Sequence, residues 1–239
     1  MKVLAFDPAS TTGWSLIEDD KLIKYGTFVT NSKMTIGERL DHIANETDKI
    51  VKDTNPDLIG IEDTLLSISG VKTLSLLARI NGVIIQRCYC NSDSVIHVIN
   101  VGEWKKNCGL EIKGNAQKWQ TLLAVVKKFD LITDDQLQNF NTLVAEEVDL
   151  QYELKDKIKF KKHELDKLRK KGKKEKIDTE FEEKNIKRII DNRKKSLKNI
   201  EKDSKKVFGK MGKEITAITG ISEDIADSIG IALAVSRLQ

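Results

Sequence analysis

Short apolar runs at the start of the chain predict three β-strands joined by tight connections. The first run, residues 3–6, is continuously apolar and ends at Asp7. A second run extends from Gly13 to Ile17 and a third from Leu22 to Val29, with the polar turn 18–21 between them. Connections this short leave no room for a helix, so the region is expected to form hairpin-like strands.

Beyond residue 35, helical and strand patterns alternate. Apolar residues recur every three or four positions from Ile36 to Lys52, which predicts a helix that stops before Asn55-Pro56. The later segments are predicted as a strand at 58–61, a helix at 71–88, a strand at 95–101 and a helix at 115–129. This alternation indicates an α/β fold, here a mixed five-stranded sheet flanked by helices.

A long polar region after residue 136 has the periodicity of paired helices. Spacings of four and three residues, typical of a coiled-coil seam with polar interruptions, connect Ile186, Ile190, Arg193, Leu197, Ile200, Ser204 and Val207. A rougher apolar stripe at 154–168 precedes it, Gly172 suits a helix C-cap, and Thr179 with Glu182 fits a capping box. We therefore predict an antiparallel helical hairpin at 137–207, inserted into a core formed by 1–136 and 208–239.

The net charge of +4 is unevenly distributed along the chain. Residues 151–206 contain 22 Lys and Arg against 12 Asp and Glu, a net charge of +10, which leaves −6 for the rest of the chain. A basic appendage on an acidic body favours contact with a polyanion. A solvated face that serves only solubility or spacing is the alternative.

Composition argues against several classes of protein. No apolar run is long enough to span a bilayer and no secretion signal is apparent, so we expect a cytoplasmic protein of a bacterium or a phage-infected host cell. The three cysteines and three histidines show neither CxxC spacing nor clustering, which argues against a zinc site or a disulfide framework. Cys88 and Cys90 are interpreted as small residues on one face of a strand.

Four carboxylates occupy positions that such a fold would bring together. Asp7 and Glu62 each end an apolar strand, and Asp224 and Asp227 share one face of a predicted C-terminal helix because they are three residues apart. Such a cluster stays ionised only beside positive charge, which divalent cations supply in metal-dependent nucleases. Three of the four also have a structural interpretation: Asp7 as a turn cap, Glu62 as the partner of a lysine, and Asp224 as a helix N-cap.

The order of five short sequence blocks adds a family resemblance. The blocks are Phe6–Ser10 with Gly13, Gly60–Asp63, Leu77–Val83, Gly114–Lys118 and Asp224–Ala232. In this order they resemble the RuvC-type Holliday junction resolvases, members of the RNase H-like superfamily, over residues 1–130 and 218–239. The resemblance implies an RNase H-like core that cuts four-way DNA junctions as a homodimer.

The resemblance also implies which residues form the site. The metal ligands would be Asp7, Glu62, Asp224 and Asp227. They would hold two Mg²⁺ ions, which Mn²⁺ would replace. Basic residues close to the DNA would be Lys105, Lys106, Lys113 and Lys118, with Lys118 also among the catalytic residues.

Two features depart from the family pattern. Bacterial members place an aromatic residue where this chain has Leu65, so Leu65, Leu66 and Ile68 are interpreted as apolar wedges that contact DNA. Trp104 and Trp119 are candidates for stacking on bases, with core packing as the alternative. The helical addition resembles phage or viral relatives more than the compact bacterial enzymes.

Two alternative functions are open at this point. One is a less specific nuclease for flaps or forks, and the other is a non-catalytic junction-binding protein.

Overall fold

The chain folds into two compact units, seen in a computed structural model that describes residues 1–64, 70–110, 112, 117–175 and 179–238. The first unit combines Met1–Ile132 with Gly212–Gln239, and the second is Thr133–Met211. Each unit contains its own cluster of buried apolar side chains. The first unit is thus assembled from both ends of the chain, whereas the second is continuous in sequence.

Five strands of the first unit form one mixed sheet with the order β3-β2-β1-β4-β5. The strands are β1 Lys2–Asp7, β2 Thr11–Glu18, β3 Lys21–Val29, β4 Leu58–Glu62 and β5 Val95–Ile99. The first three pair antiparallel, as their short connections require, whereas β4 and β5 run parallel to β1. The predicted mixed five-stranded sheet is confirmed.

Helices connect and cover these strands. Their bounds in the first unit are α1 Ile36–Thr54, α2 Val71–Asn91, α3 Val101–Asn107, α4 Lys118–Lys128 and α7 Glu223–Val235. Two further helices, α5 Asp134–Glu175 and α6 Glu180–Thr219, lie between α4 and α7 in the chain. Within the described residues, no helix combines the length and the apolar character needed to cross a bilayer.

The end of β5 differs from the sequence prediction. The strand stops at Ile99 because Asn100 caps a new helix: its side-chain oxygen accepts a hydrogen bond from the backbone N–H of Glu103 over 2.9 Å. Val101 therefore begins α3, a helix that the prediction missed, and does not end the strand. The sequence did contain a signal for this helix start: the apolar run is followed by Asn100 and, three positions later, by Glu103.

Two helices also begin or end away from their predicted bounds. Helix α4 starts at Lys118 rather than at Asn115, since Gln117 is extended and Asn115 lies outside the described residues. Helix α2 ends at Asn91, three residues after its predicted end at Cys88. Cys88 and Cys90 therefore lie on a helix and not on a strand. Burial raises the pKa of the Cys88 thiol to about 12, which keeps this sulfur a small apolar group.

The two faces of the sheet bury different helices because successive side chains of a strand point to opposite sides. One face carries a cluster shared by β1, β4, α1 and α2, with Phe6 and Ile61 fully buried in it. The other face packs on α7, so closely that a Cβ added to Gly60 would lie 2.9 Å from the side chain of Ile231. A strand side chain on the first face therefore packs against α1 and α2, and one on the second face packs against α7.

The second unit is built from α5 and the part of α6 that ends at Met211. Early α5 meets late α6 where Gln151 donates a hydrogen bond to Ser204 over 3.1 Å. Late α5 meets early α6 where Arg169 donates to Glu183 over 3.1 Å, so the helices pack antiparallel. A buried apolar cluster between them contains Ile158, Leu165, Ile186 and Ile190. That this unit is an insertion into a family core stays a prediction.

The connection between α5 and α6 differs in detail from the predicted turn. Gly172 is not a C-cap, because α5 continues to Glu175. The Thr179 hydroxyl donates to Glu183 over 3.1 Å, one residue beyond the Glu182 expected for a capping box. Residues 176–178 lie outside the described residues.

Two helical glycines make a matched test of the α7 packing. A Cβ on Gly230 would lie 2.4 Å from Cζ3 of the buried Trp104, whereas a Cβ on Gly82 of α2 would meet nothing within 4 Å. Gly230→Ala is expected to lower the free energy of unfolding by about 1 to 3 kcal/mol through overpacking. Gly82→Ala is expected to raise it by up to about 1 kcal/mol. Urea unfolding followed by circular dichroism measures both, and equal shifts would contradict the close packing of α7.

Candidate active site

Two of the predicted carboxylates end neighbouring parallel strands on one face of the sheet. Asp7 is the last residue of β1 and Glu62 the last of β4, and the preceding residues Phe6 and Ile61 pair across the ladder. Because these strands share a direction, their carboxyl ends lie at the same edge. Side chains alternate along each strand, so Asp7 and Glu62 lie on the face opposite Phe6 and Ile61, which is the face covered by α7.

Helix α7 brings the other two carboxylates to this edge. Gly13 of β2 is the register partner of Asp7, and a Cβ added to Gly13 would lie 2.2 Å from the backbone oxygen of Asp224. Glycine permits this approach because it has no Cβ. The N-cap of α7 is Ser222, whose hydroxyl accepts from the N–H of Ile225 over 3.3 Å, so the interpretation of Asp224 as N-cap is wrong. The first turn of α7 thus lies against the end of β1.

Lys118, the first residue of α4, places a positive charge in this cluster. Its Nζ lies 2.6 Å from Oδ1 of Asp224 and 3.7 Å from Oδ2 of Asp227. The other oxygen of Asp227, Oδ1, is buried without a hydrogen-bond partner. Asp7 and Asp227 are only 8% and 6% exposed. The carboxylates therefore carry more negative charge than this one ammonium neutralises.

Burial dominates the protonation of the cluster. It raises the pKa of Asp7 well above its usual value, and the charges of Glu62 and Asp227 add to the rise while Lys118 opposes it. Burial also raises the pKa of Glu62, and it raises the pKa of Asp227 to about 6. For Lys118 burial opposes the charged form, but the hydrogen bond to Asp224 and the surrounding carboxylates raise its pKa overall. Additional positive charge would thus stabilise the ionised site.

The four carboxylates are electrostatic neighbours and not a preformed cage. In the part of the chain that the structure describes, no group of three or more carboxylate, histidine or cysteine side chains is close enough to hold one metal ion. Lys118 lies against two of the four carboxylates. A metal ion held by all four would therefore require the side chains to move closer together.

Glu62 is held by Trp104, a contact that the sequence analysis missed. Trp104 Nε1 donates a hydrogen bond to Glu62 Oε2 over 2.7 Å, and the indole is fully buried in α3. Full burial rules out the stacking role considered for Trp104. Trp119 is also buried and donates to Gln117 over 3.1 Å, which supports packing for it as well. The only sequence signal was that a buried tryptophan N–H needs an acceptor.

Of the remaining residues predicted to contact DNA, one is buried beside the site, one is exposed, and the others lie outside the described residues. Lys105 is 8% exposed, its Nζ lies 5.3 Å from the ring centre of Trp104, and its charge opposes the burial-driven rise in the pKa values of two carboxylates. Lys106 is exposed on α3. Lys113 and Leu65 lie outside the described residues. Lys105 is thus positioned to neutralise the site, and Lys106 is available to a partner in solution.

The pKa of Asp227 predicts how stability depends on pH without divalent cations. Burial raises this pKa from a usual value of 3.8 to about 6. Between these values the native state binds more protons than the unfolded state, so the free energy of unfolding falls as pH rises, and the loss is complete above the folded pKa. Between pH 4 and 7 the wild type should lose up to about 3 kcal/mol relative to Asp227→Asn. Urea unfolding in EDTA measures this, and a pH-independent difference between the two proteins would contradict it.

Comparison with curated proteins gives one recurring name. A crossover junction endodeoxyribonuclease RuvC from Clostridioides difficile is 30% identical over 135 residues, which are 54% of this chain and 79% of the relative. The chain belongs to the RuvC family. RuvC from Fusobacterium nucleatum is 29% identical over 134 residues, 54% of this chain and 68% of the relative. RuvC from Caldicellulosiruptor saccharolyticus is 34% identical over 101 residues, covering 40% and 60%.

The match to RuvC proteins is partial in length. Across eight RuvC relatives, these three among them, the chain spans from 52% to 79% of the relative's own length. Two structures of Thermus thermophilus RuvC are also similar, at TM-scores of 0.45 and 0.47 and identities of 15% and 14%, the second in complex with a Holliday junction substrate. Each covers 54% of this chain, and they are covered over 81% and 79% of their own lengths. No family profile matches the chain. The assignment to the RuvC family therefore rests on the sequence relatives.

Proposed function

We propose that this chain is a divalent-metal-dependent endodeoxyribonuclease that resolves four-way DNA junctions. The observation that carries the proposal is the convergence of Asp7, Glu62, Asp224 and Asp227 with Lys118 at one edge of the sheet, in a chain of the RuvC family. The curated relatives are named crossover junction endodeoxyribonucleases. Hydrolysis of a phosphodiester by water needs no nucleophilic side chain, which agrees with a site made of carboxylates and a lysine.

The donor set suits a hard divalent cation. The four carboxylates offer only oxygen atoms, which Mg²⁺ prefers, and Asp227 has a buried oxygen without a partner. Asp7, Glu62, Asp224 and Asp227 would hold the metal, in our proposal as two Mg²⁺ ions that Mn²⁺ can replace. Bound cations would activate the attacking water and stabilise the departing 3′ oxygen.

The chain's own residues would orient the site and hold the substrate. Trp104 fixes one oxygen of Glu62 through its indole N–H, which restricts the carboxylate to one orientation. Lys118 keeps an ammonium beside Asp224 and Asp227, where it can also donate to an oxygen of the attacked phosphate. Lys106 and Lys113 are proposed to contact neighbouring phosphates, and Leu65 to wedge against the bases of an opened junction.

A homodimer would match the substrate. A four-way junction has approximate two-fold symmetry, and a two-fold dimer would present one active site to each of two opposing strands. Paired cuts at symmetric positions would then release two duplexes. We propose this assembly as part of the function, to be checked by light scattering of the protein with and without a junction.

Cleavage rates on different DNA structures test whether the four-way junction is the preferred substrate. Strand cleavage is measured in Mg²⁺ on a mobile four-way junction, a flap and a linear duplex of equal length. The proposal expects the junction to be cut fastest, in symmetric pairs. Equal rates on all three would favour the less specific branched-DNA nuclease. Junction binding with no cleavage in Mg²⁺ or Mn²⁺, and no metal binding by calorimetry, would favour a non-catalytic junction-binding protein.

A further inference from the structure

The exposed surface of α6 carries a concentration of positive charge that the active site does not use. Between residues 184 and 206 the helix has ten Lys and Arg against three Asp and Glu. All three carboxylates already have a lysine partner: Asp191 pairs with Lys194 over 3.2 Å, Asp203 with Lys206 over 2.8 Å, and Glu201 with a lysine of α5 over 3.9 Å. The helix therefore has cations left over once its own anions are satisfied.

The remaining cations share one face of the helix. Among the described residues, five cations of this stretch make neither an ion pair nor a hydrogen bond: Arg188, Lys195, Lys198, Lys202 and Lys205. At 3.6 residues per turn they fall within an arc of about 100°, away from the buried Ile186 and Ile190, and extend over roughly 26 Å. All five are exposed. We call this set the α6 cationic face.

Among its described side chains, helix α5 has no comparable face. Its lysines without an ion pair are spread around a wider arc of about 180°: Lys159, Lys162, Lys167, Lys170, Lys171 and Lys174. They lie among Asp156 and Asp166, which have no cation partner in the described part of the chain. Positive and negative charges that alternate on one surface largely cancel at a distance. The unpaired cations of the second unit therefore lie on one narrow face only on α6.

We infer that the α6 cationic face binds the phosphate backbone of duplex DNA, such as one arm of a branched substrate. Five like charges along one face repel one another, and a polyanion relieves that repulsion while it releases its own counterions. The identity of the polyanion as DNA rests on the proposed nuclease function.

The chemistry of the face favours duplex over other partners. The stretch 184–206 contains no aromatic residue, so it offers no platform on which the bases of a single strand could stack. Ile186 and Ile190 are buried against α5, and Leu197 packs on the same cluster. Ile189 is the one exposed apolar side chain of the stretch, so there is no apolar stripe for insertion into a membrane surface. Backbone contacts by lysines position a duplex without reading its sequence.

A pair of charge-neutralised variants tests the inference in the full-length chain. In the first variant Arg188, Lys195, Lys198, Lys202 and Lys205 are all replaced by Gln, which preserves helix propensity. In the matched control the same number of α5 lysines is replaced: Lys159, Lys162, Lys167, Lys170 and Lys174. Circular dichroism verifies that both remain helical. Dissociation constants for a four-way junction and for a linear duplex are measured in EDTA over a range of salt concentrations.

The expected result is a change in salt dependence specific to α6. Each phosphate that the protein neutralises contributes about 0.9 to the magnitude of the slope of log K against log salt concentration. We therefore expect this magnitude to fall by about 3 to 4 in the α6 variant and by no more than about 1 in the α5 control. The cleavage rate at saturating DNA should be unchanged, because no residue of the carboxylate cluster is altered.

Two results would overturn the inference. If the α6 variant keeps the wild-type slope, or if both variants lose the same slope, the face is not a DNA surface. An altered oligomeric state of the α6 variant with an unchanged slope would make it a subunit interface instead. Because the slopes are measured without cleavage, a chain that binds junctions but cuts none would refute the proposed function and not this inference.

Discussion

Replacing Asp7 with Asn should reduce junction cleavage about a thousandfold or more and at the same time make the metal-free protein more stable. Asp7 is 8% exposed, and burial together with the charges of Glu62 and Asp227 raises its pKa well above the usual value. Asn keeps the shape and removes the charge, so the variant loses a metal ligand worth several kcal/mol in the transition state. The same change removes an unfavourable buried negative charge from the folded state.

The two effects separate the role of Asp7 from simple damage to the fold. Cleavage is measured on a four-way junction in Mg²⁺, binding of the same junction in EDTA, and thermal unfolding at neutral pH in EDTA. We expect cleavage to collapse, binding to survive and the unfolding temperature to rise. Asp63, an exposed carboxylate directly after β4, supplies the control: Asp63→Asn should leave cleavage unchanged. A destabilised Asp7→Asn variant, or one that retains cleavage, would refute the assignment of Asp7 as a buried metal ligand.

Replacing Trp104 with Phe should raise the Mg²⁺ concentration needed for half-maximal cleavage about 10- to 100-fold. Trp104 Nε1 donates to Glu62 Oε2 over 2.7 Å, and Phe retains an aromatic ring without this donor. Glu62 would then lose the contact that orients it. Because the ligand itself is still present, a high concentration of Mg²⁺ should restore most of the cleavage rate.

Trp119→Phe provides the matched control. Trp119 is buried to a similar degree and its N–H also has a side-chain acceptor, but that acceptor is Gln117 and not a proposed ligand. Both variants should lose some stability in urea unfolding, since each leaves a smaller ring in a packed site. Only Trp104→Phe should shift the Mg²⁺ dependence. The same Mg²⁺ dependence in both variants would show that Trp104 acts through packing alone.

The local pattern of apolar and polar residues was enough to predict most of the helices and strands. It was also enough to predict that the four carboxylates lie near one another. A short apolar run that ends at Asp7 and is followed by Pro8 favours a buried strand over a helix, and the same holds for the run from Leu58 to Glu62 that follows Pro56. Parallel strands place their carboxyl ends together, and a three-residue spacing puts Asp224 and Asp227 on one helix face. These inferences depend only on short-range periodicity, which the residues themselves carry. The short helix α3 was missed because its N-cap follows the strand directly, with no intervening loop residues.

Contacts between distant segments required the tertiary structure. Lys118 meets Asp224 across 106 residues of sequence, and Trp104 meets Glu62 across 42. No periodicity encodes such pairs, because each depends on how α4, α3 and α7 pack on the sheet. Charge is divided between the two levels. The sequence determined that residues 151–206 are basic, and its spacings of three and four residues permit local pairs such as Lys194 with Asp191. Only the packing of α5 against α6 brought Glu201 to Lys155 and Arg193 to the backbone oxygen of Lys157. Hydrophobic periodicity and pairs within one helix are local properties, whereas contacts between elements depend on how whole elements pack.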